Sequence, residues 1–320
     1  MSPDPSDGEA RRADGDPVVD VLMIAFNNVS HIAATVRELV GRPEVDTVVV
    51  IDHGRDGSGA AAAEVGASVV HDPSNPGFGA GMNRAARQAR APFLLLMNPD
   101  ASLSVDALSA GLEAMAADRG AGAVQGMIRT PSTGGLERAG GRELGPLDLI
   151  GRAVGARALH ASPMIRRIVG RVPRLRHQVE RGIEEIAEVE TLAGTAVLVR
   201  REAFESVGGF DERFFLYGED LDLCRRLRRR GWSLLYLPVD WADHENGSSS
   251  AGWWDRELRW WEGTMAFTAR WWSTGAYASA RLAAAIMFLR LALRSPMRSP
   301  QAWNAVVRSP GRVRRTATVR

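Results

Sequence analysis

Residues 93–100 read Phe-Leu-Leu-Leu-Met-Asn-Pro-Asp, an apolar run that ends abruptly in polar side chains. The run Phe93–Met97 predicts a strand buried on both faces, as in a parallel sheet. Asn98 and Asp100 follow it and project on the same side of an extended chain. Their oxygens suit a hard divalent cation that bridges diphosphate oxygens. An Asx turn with Asp100 as a helix cap explains the same residues equally well, so both interpretations stay open.

Upstream of this run, short apolar segments alternate with segments of helical length. Strands are predicted over Val18–Phe26, Val48–Asp52 and Ser68–His71, and helices over Ser30–Val40, Gly59–Val65 and Gly79–Arg90. The alternation predicts an α/β fold with a mostly parallel sheet flanked by helices. Ligands of such sheets gather at the carboxyl ends of the strands. We therefore expect Asn27, Asp52 and Asp100 in one crevice, with Asp52 near a nucleobase or ribose and Asp56 as a helix cap.

A glycine-rich loop opens the third of these helices, and it spans Asn75 to Asn83. Its glycines let the backbone approach a diphosphate, whose charge the helix N-terminus favours. A dinucleotide-binding fingerprint is an alternative, because Asp100 lies about 20 residues further on. Against it, the glycines fall in the third strand-to-helix turn and not in the first. A plain tight turn explains the loop nearly as well.

Regular patterning returns downstream, after an Arg- and Gly-rich stretch. A strand is predicted over Thr191–Arg200, helices over Glu202–Val207 and Glu219–Arg230, and two further strands over Ser233–Leu237 and Asp240–His244. Glu219 and Asp220 begin a helix, where the dipole stabilises carboxylates and one of them can act as a general base. An ordinary acidic first turn explains the bare pair better. His244 can supply an imidazole to the cation, although a single histidine is usually a satisfied polar residue.

Three motifs in the downstream half occur together. They are Leu-x-Gly-x-x-x-x-x-Arg-Arg from Leu192, Val-Gly-Gly-Phe-Asp-Glu-x-Phe-Phe-x-Tyr from Val207, and Glu-Asp-x-Asp-Leu-x-x-Arg from Glu219. With the upstream blocks, in this order, the chain resembles the family-2 glycosyltransferases of the GT-A fold. Within that family it is similar to the bacterial rhamnosyltransferase-like branch. The resemblance covers roughly Val18 to Ser250.

The resemblance implies roles for individual residues. Donor contacts are implied for Asn27, Asp52, Asn75, Gly77, Phe78, Gly79, Asn83 and Asn98. Asp220 corresponds to the general base with Glu219 beside it, and Asp100 and His244 correspond to ligands of a divalent metal, Mg²⁺ or Mn²⁺. Two positions depart from the family pattern, because Asn98 stands where many members have a first Asp, and His53 replaces the more usual Asn.

The activity that the resemblance implies is inverting transfer of a sugar, rhamnose by family likeness, from a nucleoside-diphosphate donor. The implied acceptor is a hydroxyl of a cell-envelope polysaccharide or of a polyprenyl-linked glycan. A nucleotide-sugar nucleotidyltransferase, a dinucleotide oxidoreductase and an inactive nucleotide-sugar-binding module are the alternatives. The first two should show a basic phosphate loop near the N-terminus or a fingerprint after Phe26, and the sequence has neither.

The chain is predicted to have a disordered leader over residues 1–16 and a GT-A domain over 17–250, with an acceptor-side insertion at 139–190. A Trp- and Arg-rich helical tail spans 251–320, where no acid follows Glu262 but ten arginines do. Its apolar run Leu282–Leu289 is far shorter than the roughly 20 residues that cross a bilayer. The tail suits a helix at an anionic membrane surface, a cap packed on the domain, or both.

The same composition bears on location and partners. One cysteine, Cys224, excludes a disulfide framework and fits a reducing cytoplasm, and no signal peptide is apparent. We expect a cytoplasmic protein, peripheral on the inner face of the cell membrane. Its expected partners are the donor, the acceptor and an anionic membrane, and not nucleic acid.

Overall fold

The computed structural model describes residues 18–136, 140–155, 185–245 and 253–294. Its strands are β1 (Val19–Ala25), β2 (Val45–Asp52), β3 (Ser68–His71), β4 (Phe93–Met97), β5 (Ala101–Leu103), β6 (Ala121–Thr130), β7 (Gly135–Leu136), β8 (Gly140–Gly141), β9 (Ala187–Glu188), β10 (Thr191–Leu192), β11 (Ala196–Arg200) and β12 (Ser233–His244). Its helices are α1 (Ile32–Val40), α2 (Ser58–Glu64), α3 (Phe78–Ala86), α4 (Ala107–Ala117), α5 (Pro146–Val154), α6 (Arg201–Ser206), α7 (Glu219–Arg229), α8 (Trp253–Trp271) and α9 (Thr274–Arg294). The predicted leader, most of the predicted insertion and the end of the tail lie outside the described residues.

The main sheet has the strand order β3-β2-β1-β4-β11-β6-β12-β5. Strands β1 to β4 run parallel, β11 lies antiparallel between β4 and β6, and β12 is parallel to β6. Successive residues of β1 and β4 are buried, and because successive side chains point to opposite faces, both faces are covered. The prediction of an α/β fold with a mostly parallel sheet flanked by helices is confirmed.

The last strand of the sheet differs from the prediction of two short strands. A single strand, β12, runs from Ser233 to His244, and its register against β6 shifts between Tyr236 and Asp240. Pro238 lies in that interval, and proline has no amide hydrogen to donate to a neighbouring strand. The proline thus interrupts the pairing without ending the strand.

The predicted strand Thr191–Arg200 is divided into β10 and β11 by a turn. The side-chain amide of Gln125 takes the place of strand pairing there, because its Nε2 donates to the carbonyl of Ala193 at 2.8 Å and its Oε1 accepts the amide of Ala193 at 3.0 Å. Gly194 and Thr195 form this turn beside the carboxyl end of β4, because Ala196 of β11 pairs with Met97, the last residue of β4. The division therefore creates a turn at the candidate site.

The helices of the tail pack on the domain. α8 and α9 form an apolar cluster with α5 in which Leu149, Trp261 and Phe288 are buried. A second cluster joins α8 to the segment before α7 through Phe214 and Phe267. Within the described ranges, no helix is both long and apolar enough to cross a bilayer. The described part of the tail is thus a helical cap, as one of the two interpretations expected.

Candidate active site

Asp100 and His244 lie side by side at the edge of the sheet. β12 pairs antiparallel with β5 so that His244 stands opposite Ala101, the residue after Asp100. Oδ1 of Asp100 is 3.3 Å from Nε2 of His244, and the two side chains are 10% and 8% exposed. A carboxylate oxygen beside an imidazole nitrogen is a donor pair for a divalent cation, and with a protonated histidine it is also an ion pair.

This pair fits a cation that shares its coordination with a ligand. No group of three His, Cys, Asp or Glu side chains in the described ranges is arranged to hold a metal by itself. A cation between Asp100 and His244 would therefore complete its shell with phosphate oxygens and water, which is how Mg²⁺ usually binds in nucleotide sites.

The turn before Asp100 is held by hydrogen bonds to its backbone amide and carbonyl groups. The amide of Asn98 donates to the carbonyl of Thr195 at 2.8 Å, and Oγ1 of Thr35 donates to the carbonyl of Pro99 at 2.9 Å. Asp100 is followed by the strand β5, and the next helix, α4, begins only at Ala107. The alternative that Asp100 caps a helix is therefore wrong.

The candidate base lies in the first turn of α7. Gly218 precedes that helix with a left-handed φ of 86°. Oδ1 of Asp220 accepts the amide of Leu221 at 2.8 Å. Asp220 is partly exposed, whereas Glu219 is buried and its Oε2 has no hydrogen-bond partner among the described residues. The two adjacent carboxyl groups therefore lie in different environments.

These environments place the proton of the pair on Glu219. Burial raises the pKa of both carboxyl groups. Amide hydrogen bonds counteract this rise for Asp220, the largest from Leu221. For Glu219 the charge of Asp220 adds to the effect of burial, and together they raise the pKa of Glu219 to about 8. Of the two carboxyl groups, Glu219 therefore holds a proton more strongly, and Asp220 ionises more readily and is the better candidate to accept a proton.

We expect Glu219→Gln to flatten the pH dependence of stability. The pKa of Glu219 in the folded protein, about 8, lies above the usual 4.5 of a glutamate. The unfolded chain therefore loses this proton first, and stability is lost as the pH rises from about 4.5 to about 8. Thermal unfolding at pH 5 and pH 9 should show a larger fall in Tm for the wild type than for the variant. Glu113→Gln, on an exposed position of α4, is the control, and parallel Tm profiles for wild type and Glu219→Gln would contradict the assignment.

The turn between β10 and β11 connects the base to the cation pair. Gly194 lies against Asp220, and the next residue, Thr195, accepts the amide of Asn98. Asp100 is two residues after Asn98. A Cβ added at Gly194 would lie 3.8 Å from Cβ of Asp220 and 3.9 Å from the ring of Phe78. One short turn thus touches both the strand end before Asp100 and the base.

The upstream strand ends hold the candidate nucleotide contacts. Oδ1 of Asp52 accepts the amide of Gly54 at 2.9 Å, and its Oδ2 is 3.3 Å from Nδ1 of His71. The register of β1 against β2 pairs Ala25 with Asp52, so Asn27 lies just beyond the same edge, exposed and with a left-handed φ of 59°. Asp52 itself is 6% exposed, so a ligand would reach it only at the edge of its carboxylate.

The side chains of His53 and Asp56 form hydrogen bonds within the protein. The imidazole of His53 is buried, and its Nδ1 lies 2.6 Å from the carbonyl oxygen of Asp72. Asp56 accepts hydrogen bonds from the amide of Ser58, the first residue of α2, at 3.1 Å and from the Ser58 hydroxyl at 2.6 Å. Asp56 thus satisfies a free amide in the first turn of α2, as predicted, although the N-cap residue itself is Gly57.

The glycine-rich loop packs against the segment that precedes α7. The amide of Phe78 donates to the carbonyl of Phe215 at 2.8 Å, and a Cβ on Gly77 would overlap that carbonyl. The side-chain amide of Asn83 is fully used within the protein, because Nδ2 donates to the carbonyl of Phe210 at 2.9 Å and to Oε1 of Glu212 at 3.0 Å, and Oδ1 accepts the amide of Phe210 at 2.8 Å. Gly77 and Asn83 therefore pack against the segment before α7, whereas the resemblance implied a donor contact for each of them.

Gly79 has a similar task, because a Cβ there would meet Cβ of Phe210 at 2.9 Å. Two members of the loop remain free to face a ligand. Asn75, with a left-handed φ of 43°, and Phe78 are both partly exposed. Of the loop residues for which the resemblance implied a donor contact, these two are the ones whose side chains a ligand can reach.

Asp222, for which the sequence predicts no role, connects α7 to α8. Its carboxylate is fully buried, with Oδ2 2.7 Å from Nε of Arg226 and Oδ1 2.8 Å from Nε1 of Trp271. Arg270 adds an ion pair at 3.0 Å. The spacing of Asp222 and Arg226, four residues apart on a helix, was a signal for the first contact. The contacts with α8 had no such local signal.

Gly263 of α8 packs closely against the residues that immediately precede α7. A Cβ there would overlap the carbonyl oxygen of Tyr217 and would lie 2.9 Å from that of Leu216. These two residues immediately precede Gly218 and α7. The position of α8 therefore constrains the first turn of α7, where Asp220 lies.

We expect Gly263→Ala to destabilise the protein by about 1–3 kcal/mol, the usual cost of overpacking, and to lower kcat because α8 must move off the residues before α7. Chemical denaturation and steady-state kinetics would measure the two effects. Gly275→Ala is the matched control, because a Cβ on this α9 glycine meets nothing within 4 Å. Equal stability and activity of the two variants would contradict the constraint.

Comparison with known proteins adds to this geometry. Residues 17–263 match the family model described as glycosyltransferase like family 2. The chain is 29% identical over 286 residues to N-acetylglucosaminyl-diphospho-decaprenol L-rhamnosyltransferase of Mycobacterium tuberculosis, an alignment that covers 76% of this chain and 88% of that protein.

Solved structures share the fold at low identity. The mannosyltransferase PcManGT of Pyrobaculum calidifontis, in complex with GDP-Man and Mn²⁺, superposes with a TM-score of 0.53 and 16% identity over 95% of this chain and 88% of its own. GalNAc-T7 with UDP, GalNAc and Mn²⁺ gives a TM-score of 0.56 and 15% identity over 83% of this chain. The chain spans 49% of the GalNAc-T7 structure.

Proposed function

The chain belongs to glycosyltransferase family 2, and from that premise we propose that it is an inverting enzyme with Asp220 as the general base. The observation that carries this proposal is the turn at Gly194 and Thr195, which packs against Asp220 on one side and accepts the amide of Asn98, two residues before Asp100, on the other. Membership of this family favours a glycosyltransferase over a nucleotidyltransferase or an inactive binding module.

The proposed reaction is a single displacement. The acceptor hydroxyl oxygen bonds to the anomeric carbon of the donor sugar while the bond from that carbon to the diphosphate oxygen breaks. Asp220 takes the hydroxyl proton as attack proceeds. Attack and departure occur on opposite faces of the sugar, so the anomeric configuration inverts. A nucleoside diphosphate leaves as a stable anion, and no general acid is required.

Asp100 and His244 are proposed to hold a divalent cation, Mg²⁺ or Mn²⁺. When bound, the cation would neutralise charge on the leaving diphosphate. The adjacency of Oδ1 and Nε2 supports this assignment. Asn27, Asp52, Asn75, Phe78 and Asn98 are proposed to line the donor site, with Asp52 and Asn27 on the nucleoside side.

We propose L-rhamnose as the sugar, deoxythymidine diphosphate as its carrier, and a polyprenyl-linked or cell-envelope glycan as the acceptor. The relative of Mycobacterium tuberculosis, whose name specifies rhamnosyl transfer to a diphospho-decaprenol acceptor, supports this choice over most of its length. The catalytic domain is proposed to span residues 17–250, with residues 139–190 on the acceptor side and a helical tail over 251–320.

A donor panel tests the function. The purified chain would be given Mn²⁺, a diphospho-polyprenol-linked N-acetylglucosamine, and one of several nucleotide sugars at a time. Release of nucleoside diphosphate that depends on the acceptor, together with a product one deoxyhexose heavier, is expected for deoxythymidine-diphosphate rhamnose. Transfer from another donor would reassign the sugar, and no transfer from any donor with a folded chain would sink the activity.

Peripheral attachment to an anionic membrane is the proposed location. Leu282 and Leu289 lie seven residues apart on one face of α9 and are 60% and 63% exposed. Leu147 on α5, the helix packed against α9, is 71% exposed. Exposed leucines on a segment followed by arginines and no acids match the interface of an anionic bilayer.

We expect Leu282→Ser combined with Leu289→Ser to weaken binding to phosphatidylglycerol vesicles by at least about tenfold, because each buried leucine contributes about 1.5–3 kcal/mol. Vesicle co-sedimentation would measure it. Val105→Ser removes an 83% exposed valine from the turn between β5 and α4 and is the control. Unchanged binding of the double variant would place the contact elsewhere.

A further inference from the structure

A surface cavity of about 440 Å³ lies at the C-terminal end of α7, between the turn after α6 and the end of α8. Its wall contains three guanidinium groups, from Arg226, Arg229 and Arg230, and the indole of Trp271. No acid is among the residues that line it. We call it the arginine cavity, and none of the residues proposed for the reaction lines it.

The nearby carboxylate of Asp222 pairs with Arg226 and not with the other two arginines of the cavity. Asp222 is fully buried and accepts bonds from Arg226, Arg270 and Trp271. Arg226 also donates from Nη1 to the carbonyl of Gly209 at 2.6 Å, yet its Nη2 is buried without a hydrogen-bond partner among the described residues. Asp222 and the backbone carbonyl therefore hold Arg226 in place, and the guanidinium groups that a ligand can reach are those of Arg229 and Arg230.

The other two arginines remain available to a ligand. Arg229 and Arg230 are exposed, and Arg229 stacks 5.3 Å from the centre of the Trp271 ring. Stacking on an indole orients a guanidinium and leaves its N–H edge free to donate. Two accessible guanidinium groups beside one concave surface match the several acceptor oxygens of a phosphate.

The arginine cavity is separate from the reaction centre. Arg229 comes nine residues after Asp220 on the same helix, which places it about 13 Å further along the axis. The cation pair lies at the end of β12, which the cavity does not include. The donor diphosphate at the cation pair and a group in the cavity would therefore be bound independently.

We propose that the arginine cavity binds a phosphate group of a second ligand, either a soluble phosphate compound or the headgroup of an anionic lipid. The phosphate oxygens accept hydrogen bonds from the guanidinium groups of Arg229 and Arg230. This site is independent of the sugar transfer proposed above and does not require it.

Calorimetric titration of the full chain with inorganic phosphate, in EDTA to suppress binding at the cation pair, tests the site. We expect saturable binding that is at least about tenfold weaker after Arg229→Gln with Arg230→Gln, because two charge-assisted contacts are removed. Arg87→Gln with Arg90→Gln is the matched control, since both residues are exposed on or just after α3 and the change in net charge is the same. Sugar transfer should be unchanged in both double variants.

Competition distinguishes the two sources of phosphate. Displacement of inorganic phosphate by phosphatidic acid vesicles, but not by phosphatidylcholine vesicles, assigns the cavity to a lipid headgroup. Displacement by glycerol phosphate with no effect of either vesicle assigns it to a soluble compound. Absence of saturable binding, or an equal loss in the Arg87 and Arg90 control, would overturn the proposal, because general surface charge would then account for any attraction.

Discussion

Asp220→Asn is expected to lower kcat of sugar transfer by about 10²–10⁴-fold, the usual contribution of a general base, with little change in the Kd of the donor. An amide has the shape of the carboxylate but cannot accept the acceptor proton. The hydrogen bond from Leu221 to Oδ1 can persist in the variant, so the first turn of α7 should keep its geometry. Steady-state kinetics and donor titration on the same preparation would separate turnover from binding.

The neighbouring carboxyl group supplies the control for this prediction. Because burial and the charge of Asp220 raise the pKa of Glu219 to about 8, Glu219 holds a proton more strongly than Asp220 does. Glu219→Gln should therefore retain most of its activity at pH 7. Full activity of Asp220→Asn, or equal losses in the two variants, would contradict the division of roles between the adjacent residues.

Asp100→Ala is the second substitution with a large expected effect, a loss of about 10²-fold or more in kcat/KM when Mg²⁺ or Mn²⁺ is supplied. A carboxylate that holds a catalytic cation contributes several kcal/mol of charge stabilisation, so its removal weakens the cation and the leaving diphosphate together. Metal titrations at fixed donor concentration should show a higher metal requirement for Asp100→Ala and for His244→Ala.

Asp243→Ala is the matched control for the cation pair. Asp243 precedes His244 on β12, and because side chains alternate along a strand it points to the opposite face, where it is exposed. It should keep the metal dependence of the wild type. If Asp100→Ala has the same metal dependence as Asp243→Ala, then Asp100 and His244 form an ion pair with no part in cation binding.

The sequence predicted the upstream half of the fold closely. Ser68–His71 and Phe93–Met97 were predicted with the ends that the structure shows, because an apolar run meets polar or turn-forming residues at each end. Residues 101–130 were not predicted, although they form β5, α4 and β6. β6 is buried on both faces, so its apolar and polar residues do not alternate, and α4 has alanines around much of its surface. Neither segment therefore shows the hydrophobic periodicity that identifies a strand or a helix.

The candidate site was predictable where a strand end determines it. Asp52 and Asp100 were expected at carboxyl ends of strands, and the pairing of β12 with β5 brings His244 to Asp100 as the shared-cation hypothesis required. Contacts between distant parts of the chain were not predictable. Asp222 contacts Arg270 and Trp271, and Asn83 contacts Phe210, through side chains that no local pattern connects.

The glycines of the motifs illustrate the same limit. Gly77 and Gly79 were assigned to a diphosphate because flexible backbone near a helix start suits one, but the structure uses both for close approach to the segment before α7. Gly263 lies in a helix that the sequence analysis treated as a tail, yet it abuts Tyr217 beside the candidate base. At these three positions the glycine allows a close approach, but the sequence does not show which segment approaches.

The most direct test of a shared site for cation and base is anomalous diffraction from crystals grown with Mn²⁺ and a nucleoside diphosphate. We predict one manganese peak within bonding distance of the Asp100 carboxylate and Nε2 of His244, with diphosphate oxygens in its shell and the Asp220 carboxylate facing the sugar end of the same cleft. A peak bound by other residues, or an Asp220 carboxylate on the far side of α7 from the diphosphate, would contradict the account.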